Sequence, residues 1–421
     1  MKSKTLSYYL CYLAIRAVLY PFSFLSYKTL GVLGQKMGIV LFYLIPKYRK
    51  RTLSNLSIAS DLALEEKDLH RLAKESIGHL MTTCLEYGKL SSEKNIQSIV
   101  TCENPEEAQK ILDEGRGVIF LCGHQANWEL FFLEGTSRMQ GVAIGQPIKN
   151  IPLYNWILSI REKFGGKIVL PKQAVKEGLR ALKQGRFLGI VGDQGMPEAG
   201  LATPFLGRPA FTSPLPSILS YRTSCPIITA TMTRKEGKYK IHYSAPLWPN
   251  LKEPSEKEVP RLLQEALLPL EESIKANPSE WLWQHNRWKQ QLLGKIKKNY
   301  RQDAIAVILP KNLDLWKKFS LDLKTFRDIY PTELVCFFTP FPLEQDLQAE
   351  EHLYTEYADV KIQDYRFKLV FNLTEDKSLS KHFLNLSAMK APTLQDLQIE
   401  TKSPSDTPIS QLLKGAILHA S

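Results

Sequence analysis

Cysteine is scarce in this chain of 421 residues, which contains six. The six are widely separated, with no CxxC pair and no zinc-site spacing: Cys11, Cys84, Cys102, Cys122, Cys225 and Cys336. This spacing argues against a disulfide framework and against a structural metal site. We therefore predict free thiols in a reducing compartment and no metal ligands.

The chain also lacks the signatures of several common enzyme classes. It has no GxSxG nucleophile elbow, no P-loop and no glycine-rich dinucleotide fingerprint. These absences argue against α/β-hydrolases, P-loop NTPases and dinucleotide-dependent oxidoreductases, and we predict no cofactor. The sequence has no internal repeat and no low-complexity segment.

Acidic residues are too few to balance the basic ones, and the positive excess is unevenly distributed. The formal charge is +12, from 55 Lys/Arg and 43 Asp/Glu. Residues 302–421 hold 13 Lys/Arg and 17 Asp/Glu, a net of −4, so residues 1–301 carry +16. Such a basic region suits a membrane surface, a phosphorylated lipid or an acidic carrier protein. Because no nucleic-acid-binding motif is present, nucleic acid is not predicted as a partner.

The first 50 residues are predicted to form a membrane anchor. Residues 5–27 are apolar and aromatic and long enough to span a bilayer, although Arg16 and Pro21 argue against a simple span. The basic cluster at 47–51 would face the cytoplasm. We expect an N-terminal membrane helix that either spans the bilayer or lies in its plane. The alternatives are two amphipathic helices packed on a soluble domain, or a signal peptide, for which no small-residue cleavage site is evident.

Residues 51–300 are predicted to alternate between strands and helices. The strands are expected at 118–122, 141–146, 167–170, 187–192, 225–232 and 238–244. The helices are expected near 64–92, 105–115, 151–164, 173–184 and 256–276. This alternation predicts an α/β fold with a mostly parallel sheet flanked by helices, which binds ligands at the carboxyl ends of its strands.

Two pairs of polar residues follow buried strands. His124 comes directly after Gly123 at the end of the strand 118–122, and Glu129 is five residues further on. If Glu129 lies in the first turn of the next helix, its carboxylate can orient the imidazole and leave the other ring nitrogen as a general base. The competing interpretation is a structural histidine held by a backbone bond. Asp193 and Gln194 repeat this placement after the strand 187–192.

Four short blocks of the sequence are distinctive. They are Arg51 with Asn55-Leu56, GHQANWE at 123–129, Asp193-Gln194 followed by PFLG at 204–207 and Thr212, and PSEWLWQHNRWK at 278–289. In this order they resemble the RxNL, HxGNWE, D…FFG…T and PxxWxWxHxRWK elements of the late lipid A acyltransferases, the lauroyl/myristoyl transferase family. The resemblance covers about residues 1–295 and implies a glycerolipid-acyltransferase-like fold.

Two positions depart from the family pattern. The glycine usual two residues after the histidine is Ala126, and the usual arginine-proline pair after the next strand is Gln146-Pro147. The basic contact expected at 146 is therefore missing, and Lys149 and Arg161 are the alternatives for it. For Arg161 the competing interpretation is a solvated helix charge.

The resemblance implies that an acyl chain passes from an acyl carrier protein thioester to a hydroxyl of a lipid A precursor. In this mechanism His124 takes the hydroxyl proton and Glu129 fixes the histidine tautomer. The implied location is the inner membrane, with the catalytic domain on its cytoplasmic face. The candidate substrate-binding residues are Asn127, Lys149, Arg161, Asp193, Arg208, His285 and Arg287. Trp281, Trp283 and Trp288 are interpreted as core anchors on one helix.

Residues 301–421 extend beyond the usual end of the family. Strands are predicted at 304–310, 333–338 and 367–373, and helices at 312–328 and 377–389, which indicates a small Rossmann-like α/β domain. It contains no glycine-rich phosphate loop, and we interpret it as a binding or regulatory appendage.

Two alternatives to the lipid A function remain open. One is a phospholipid or glycolipid acyltransferase that uses acyl-CoA. The other is an inactive membrane scaffold in which residues 302–421 recruit a partner, although the intact His124/Glu129 pair argues against it.

Overall fold

The computed structural model describes residues 2–289, 294–404 and 406–419. Its helices are α1 (Lys2–Leu19), α2 (Tyr27–Leu44), α3 (Pro46–Ile58), α4 (Glu66–Leu90), α5 (Glu106–Asp113), α6 (Glu129–Arg138), α7 (Ile151–Arg161), α8 (Ala174–Lys183), α9 (Leu215–Thr223), α10 (Ser255–Ala276), α11 (Leu313–Ser320), α12 (Lys324–Ile329), α13 (Lys377–Leu386), α14 (Leu394–Thr401) and α15 (Ile409–Ile417). Its strands are β1 (Val100–Cys102), β2 (Val118–Cys122), β3 (Gly141–Ile144), β4 (Lys167–Val169), β5 (Phe187–Val191), β6 (Leu201–Phe205), β7 (Arg208–Thr212), β8 (Ile227–Lys235), β9 (Lys238–Tyr243), β10 (Ala304–Ile308), β11 (Leu334–Thr339), β12 (Glu350–Leu353) and β13 (Leu369–Asn372).

The main sheet has the strand order β1-β9-β8-β2-β5-β3-β4. Its neighbouring strands are parallel except for the antiparallel pair of β8 and β9. All five residues of β2 are buried, as expected for a central strand with helices on both faces. The predicted α/β fold with a mostly parallel sheet is therefore confirmed.

The neighbouring strands β2 and β5 determine where the site forms. Cys122 is aligned with Val191 in this parallel pair. Both strands therefore end at the same sheet edge, and the residues that follow them, His124 and Asp193, leave the sheet side by side.

The amino-terminal helices pack against the helices of the unit that contains the main sheet. Helix α2 lies against α4 at small residues: a Cβ on Gly34 would come within 2.7 Å of the Thr82 backbone, and one on Gly38 would overlap the Gly78 backbone. Within the described residues, no single helix is long and apolar enough to cross a membrane. The pair α2 and α3, which is bent by 101°, meets the length and composition criteria only when taken together. The predicted N-terminal membrane helix is thus not confirmed.

The carboxyl-terminal residues form a second parallel sheet, with the order β12-β11-β10-β13. The predicted strands correspond to β10, β11 and β13, whereas the helix predicted at 312–328 is divided into α11 and α12. Strand β10 is buried on both faces. Ala304 and Ala306 belong to the hydrophobic core that also contains Trp281, and Ile305 belongs to a separate core. The two units therefore share one hydrophobic core.

Candidate active site

His124 lies in a tight turn between β2 and α6. Ala126 in this turn has a φ of +46°, a left-handed conformation that glycine adopts more readily. Its amide donates to Glu280 O at 2.8 Å, and its carbonyl accepts from Thr83 Oγ1 at 3.0 Å. These contacts hold an alanine where the family pattern has a glycine. A Cβ on Gly123 would meet the Leu270 side chain at 2.8 Å and Asp193 Oδ2 at 3.1 Å, so these neighbours would have to shift.

The carboxylate that contacts His124 is that of Asp193. His124 Nδ1 is 2.7 Å from Asp193 Oδ1, and the His124 backbone amide donates to Asp193 Oδ2 at 2.7 Å. Trp281 Nε1 also donates to Asp193 Oδ2, at 2.7 Å. Because the carboxylate is an acceptor, the histidine proton lies on Nδ1 and Nε2 is the free base.

Burial and charge act in opposite directions on this pair. Burial would raise the pKa of Asp193, but the facing His124 ring and its hydrogen bonds lower it well below its usual range. Burial would lower the pKa of His124, but the Asp193 carboxylate outweighs burial and raises this pKa above its ordinary value. The result is a buried carboxylate that stays ionised and stabilises a protonated imidazole.

Glu129 does not make the predicted hydrogen bond to His124. Its carboxylate accepts from Arg161 Nε and Nη2, both at 2.6 Å, from Tyr87 OH at 2.6 Å and from Trp128 Nε1 at 3.1 Å. As the first residue of α6, Glu129 directs its carboxylate towards α4 and α7. The expectation that Glu129 fixes the histidine tautomer is therefore wrong in this geometry, and Asp193 has that position.

The Glu129–Arg161 pair is nevertheless an electrostatic neighbour of His124. Burial would raise the pKa of Glu129, but Arg161 lowers it, so the pair stays charged. The Glu129 charge raises the pKa of His124 and the Arg161 charge lowers it. Trp128 lies between the two groups, with its ring 5.0 Å from the His124 ring.

The segment 281–288 covers the other side of the histidine. Leu282 N donates to His124 O at 3.0 Å, and the His285 ring is 5.7 Å from the His124 ring. Trp281, Trp283 and Trp288 are buried, which agrees with the predicted core role. The segment is made of turns, not of the predicted helix, and follows the short 3-10 helix Pro278–Glu280.

A model of the bacterial lipid A biosynthesis acyltransferases matches residues 1–290. The chain belongs to this family. No curated protein sequence matches the chain. Since the family consists of acyltransferases, the protein is an acyltransferase of lipid A biosynthesis, and the resemblance in the sequence is confirmed.

Three of the predicted substrate-binding residues of this lipid A acyltransferase lie near His124. Asp193 and Arg161 have the contacts described above. His285 Nε2 lies 3.2 Å from Asp193 O, and its Nδ1 contacts Leu282 O. Burial lowers the pKa of His285 to about 4, so the ring is neutral at pH 7. His285 therefore supports the backbone of Asp193.

The other predicted residues have different surroundings. Asn127 is buried and donates to Glu86 Oε2 at 2.8 Å. Arg287 is buried and donates to Thr212 Oγ1 at 2.7 Å. Arg208 donates to Asp303 O at 2.9 Å, at the contact with the second sheet. Lys149 is exposed on the loop before α7.

Gln194 was not among the predicted site residues. Its amide nitrogen lies 3.4 Å from His124 Nε2, the ring nitrogen that does not face Asp193. Its side chain is exposed, so it lies at the open side of the site. Its position directly after Asp193 was the sequence signal that could have identified it.

An apolar cavity of about 60 Å³ lies beside the histidine. Trp128, which contacts the His124 ring edge to face, forms part of its wall. Small residues from three elements also line it, namely Gly135, Ala143 and Gly189. The cavity therefore lies in the apolar interior between α6 and the sheet, and Trp128 separates it from the His124 ring.

Proposed function

We propose that the protein transfers a fatty acyl chain from an acyl carrier protein thioester to a hydroxyl of a lipid A precursor, at the cytoplasmic face of the inner membrane. The observation that carries the proposal is the buried His124–Asp193 pair, which leaves Nε2 as the free base on the open side. The acceptor's own hydroxyl is the nucleophile, so no serine or cysteine nucleophile is required.

In this mechanism His124 Nε2 removes the proton of the acceptor hydroxyl as its oxygen attacks the thioester carbonyl. The tetrahedral oxyanion then collapses, the carbon–sulfur bond breaks, and His124 returns the proton to the leaving thiolate. Asp193 holds the tautomer and stabilises the imidazolium between these steps, which is the role of the acid in a hydrolase triad.

The hydrogen-bond donors for the oxyanion must come from outside residues 124–126, because the backbone amides of these residues are already engaged. The amides of His124, Gln125 and Ala126 already donate to Asp193, Gly123 and Glu280. We assign the oxyanion contact to the Gln194 side-chain amide, close to Nε2, with Arg161 as the nearby cation. Glu129 positions Arg161 through its two hydrogen bonds.

Several features support the choice of partners. The apolar lining of the small cavity beside His124 suits part of an acyl chain. The charge of +16 on residues 1–301 suits an acidic carrier protein and a phosphorylated acceptor. Exposed apolar side chains on the amino-terminal helices suit the membrane interface; they include Leu6, Tyr9, Leu10, Leu13, Val32, Ile39, Val40 and Leu44.

The proposal is tested by offering the purified protein acyl carrier protein and acyl-CoA thioesters against a lipid A precursor and a phospholipid, with products identified by mass spectrometry. We expect acylated lipid A precursor from the carrier-protein donor, and no product from His124→Ala. A product only with acyl-CoA and phospholipid would contradict the proposal. Full activity of folded His124→Ala would contradict the mechanism.

A further inference from the structure

Helix α3 lies between the second sheet and the tryptophan-rich segment 281–288. Towards the carboxyl-terminal unit, Ser54 Oγ donates to Arg366 O at 2.7 Å, and Lys50 Nζ donates to Ala388 O at 2.8 Å. Towards the active site, Arg51 Nη1 contacts Gln284 O at 3.4 Å. The same helix therefore touches both the appended unit and the segment that covers His124.

Asn55 on this helix connects the two sides. It is fully buried, and its Nδ2 donates to Trp283 O at 2.8 Å and to His285 O at 2.7 Å. Its Oδ1 accepts from Lys368 Nζ at 2.7 Å. Since an ammonium group can only donate, the lysine fixes the orientation of the amide and so directs both of its N–H groups at the segment.

Lys368 is itself fixed by a buried acid. It is 1% exposed, and its ammonium group is 2.7 and 2.9 Å from the two oxygens of Asp303, which is also 1% exposed. A buried ion pair is rarely the most stabilising choice, because desolvation offsets much of its attraction. Unlike an apolar pair, however, the ion pair fixes the orientation of the Lys368 ammonium group, which points towards Asn55 Oδ1.

The chain of contacts ends at the catalytic carboxylate. The backbone that Asn55 holds carries His285, whose Nε2 lies 3.2 Å from Asp193 O. The same segment carries Trp281, whose indole donates to Asp193 Oδ2. Asp193 in turn orients His124.

We propose that the carboxyl-terminal unit is a positioning element of the acyltransferase site, in which Lys368, held by Asp303, fixes Asn55 and thereby seats the segment 281–288 against Asp193. Lys368 and Asp303 lie beyond the 290 residues that the family model matches. The appended unit thus contributes to turnover through Asn55, and Lys368 Nζ also lies 3.4 Å from Oδ1 of Asn286 in the same segment. This inference rests on the proposed function for its kinetic readout.

The test compares full-length variants. Lys368→Met removes the ammonium group and keeps a side chain of similar length. Because this leaves the Asp303 carboxylate without its cation, the double variant Asp303→Asn with Lys368→Met, which removes both charges, is measured beside it. Tyr365→Phe is the control, because it removes a hydrogen bond between the same two units, the one to Glu66, that does not involve segment 281–288. We expect kcat to fall about tenfold or more in both lysine variants, with KM within about twofold, since small misplacements of catalytic groups are costly. Tyr365→Phe is expected to keep the wild-type kcat.

A second readout does not depend on turnover. The near-ultraviolet circular dichroism of the buried tryptophans should change in the lysine variants and stay unchanged in Tyr365→Phe. A wild-type kcat with an unchanged tryptophan spectrum in the folded double variant would overturn the positioning role. If the wild-type protein transfers no acyl chain from any donor, the proposed function fails, whereas the spectra still decide whether Lys368 orders the segment.

Discussion

At the scale of single residues, the proposed chemistry depends on His124 and Asp193, two side chains 69 positions apart in the chain. Asp193 is buried, ionised and hydrogen bonded to His124 Nδ1, whereas Glu129 is engaged by Arg161. His124, the proposed general base, therefore takes its orientation from a residue that follows the neighbouring strand β5 and not from its own helix.

Asp193→Asn is expected to lower kcat about 10²- to 10⁴-fold without unfolding the protein. The amide keeps the shape of the side chain but can present an N–H to Nδ1, which stabilises the wrong tautomer of His124. Steady-state kinetics with the carrier-protein donor measure the effect, and thermal unfolding measures stability. If Asp193→Asn keeps the wild-type kcat and Glu129→Gln loses activity, Glu129 and not Asp193 orients the His124 imidazole during turnover.

The acid limb of the pH–rate profile provides a second measurement on the same variant. His124 must be neutral to accept a proton, and Asp193 raises its pKa above the ordinary value of 6.5. Wild-type kcat is therefore expected to fall as pH drops through a midpoint above 6.5. In Asp193→Asn the residual activity should have its midpoint at lower pH, because burial then acts without the opposing carboxylate. An unchanged midpoint would show that another group controls this limb.

The sequence predicted His124 as the base, and it also showed Asp193 after a buried strand. It could not show which acid reaches the imidazole. That choice depends on β2 and β5 being neighbours in the sheet, although β3 and β4 lie between them in the chain. Five residues between His124 and Glu129 made a local contact plausible, but Arg161 and Tyr87 provide stronger partners for that carboxylate.

At the scale of elements, strong apolar patterns were predictable and polar or irregular ones were not. Strand β2 follows from its apolar run between two glycines. Strand β12 has the sequence EEHL at the edge of the second sheet, where no apolar pattern is needed. The tryptophan-rich segment has the composition of a buried helix, but its backbone bonds to Asn55 and to the His124 turn instead.

Ala143 on strand β3 allows a test of whether the acyl chain occupies the cavity beside His124. Ala143→Leu is expected to fill part of the cavity, since its side chain belongs to the lining. If the acyl chain occupies this space, the ratio of kcat/KM for long over short acyl donors should fall about tenfold or more, because each buried methylene contributes about 0.8 kcal/mol. Competition between donors of different length measures this ratio. An unchanged ratio in a folded variant would place the acyl chain elsewhere.

The packing of α2 on α4 predicts a loss of stability in Gly34→Ala. The new methyl group would lie 2.7 Å from the Thr82 backbone, so the two helices would have to separate. The free energy of unfolding should fall by about 1–3 kcal/mol, the usual cost of overpacking. Gly294→Ala is the control, because a Cβ there meets no atom of the described residues within 4 Å. Equal chemical denaturation midpoints for the two variants would contradict this packing.

At the scale of the whole molecule, the sequence indicated separate units, and the structure joins two of them through one core. Trp281 and Ala304 belong to the same hydrophobic cluster. Helix α3 contacts both the tryptophan-rich segment and the carboxyl-terminal unit. Sequence patterns identify each sheet from its own strands, but they do not report which surfaces of two sheets are buried together. The appended unit therefore looked like an appendage in the sequence alone.

The distribution of exposed apolar side chains leads to a prediction about membrane binding. Leu10 and Leu13 are 57% and 45% exposed on α1, three residues apart and so on one face. If this face enters the lipid interface, Leu10→Glu with Leu13→Glu should weaken binding to anionic vesicles about 100-fold or more. Burying each leucine contributes about 1.5–3 kcal/mol, and the new charges add repulsion.

The matched control for this variant is Leu321→Glu with Ile399→Glu. These two side chains are 77% and 69% exposed in the carboxyl-terminal unit, so the control introduces the same charge with a similar loss of apolar surface. Vesicle flotation at low salt measures binding, and we expect the control to float like the wild type. Added salt should weaken wild-type binding in part, because the charge of +16 on residues 1–301 contributes electrostatically while the apolar contact is insensitive to screening. Equal flotation of both variants would exclude α1 as the membrane-binding face.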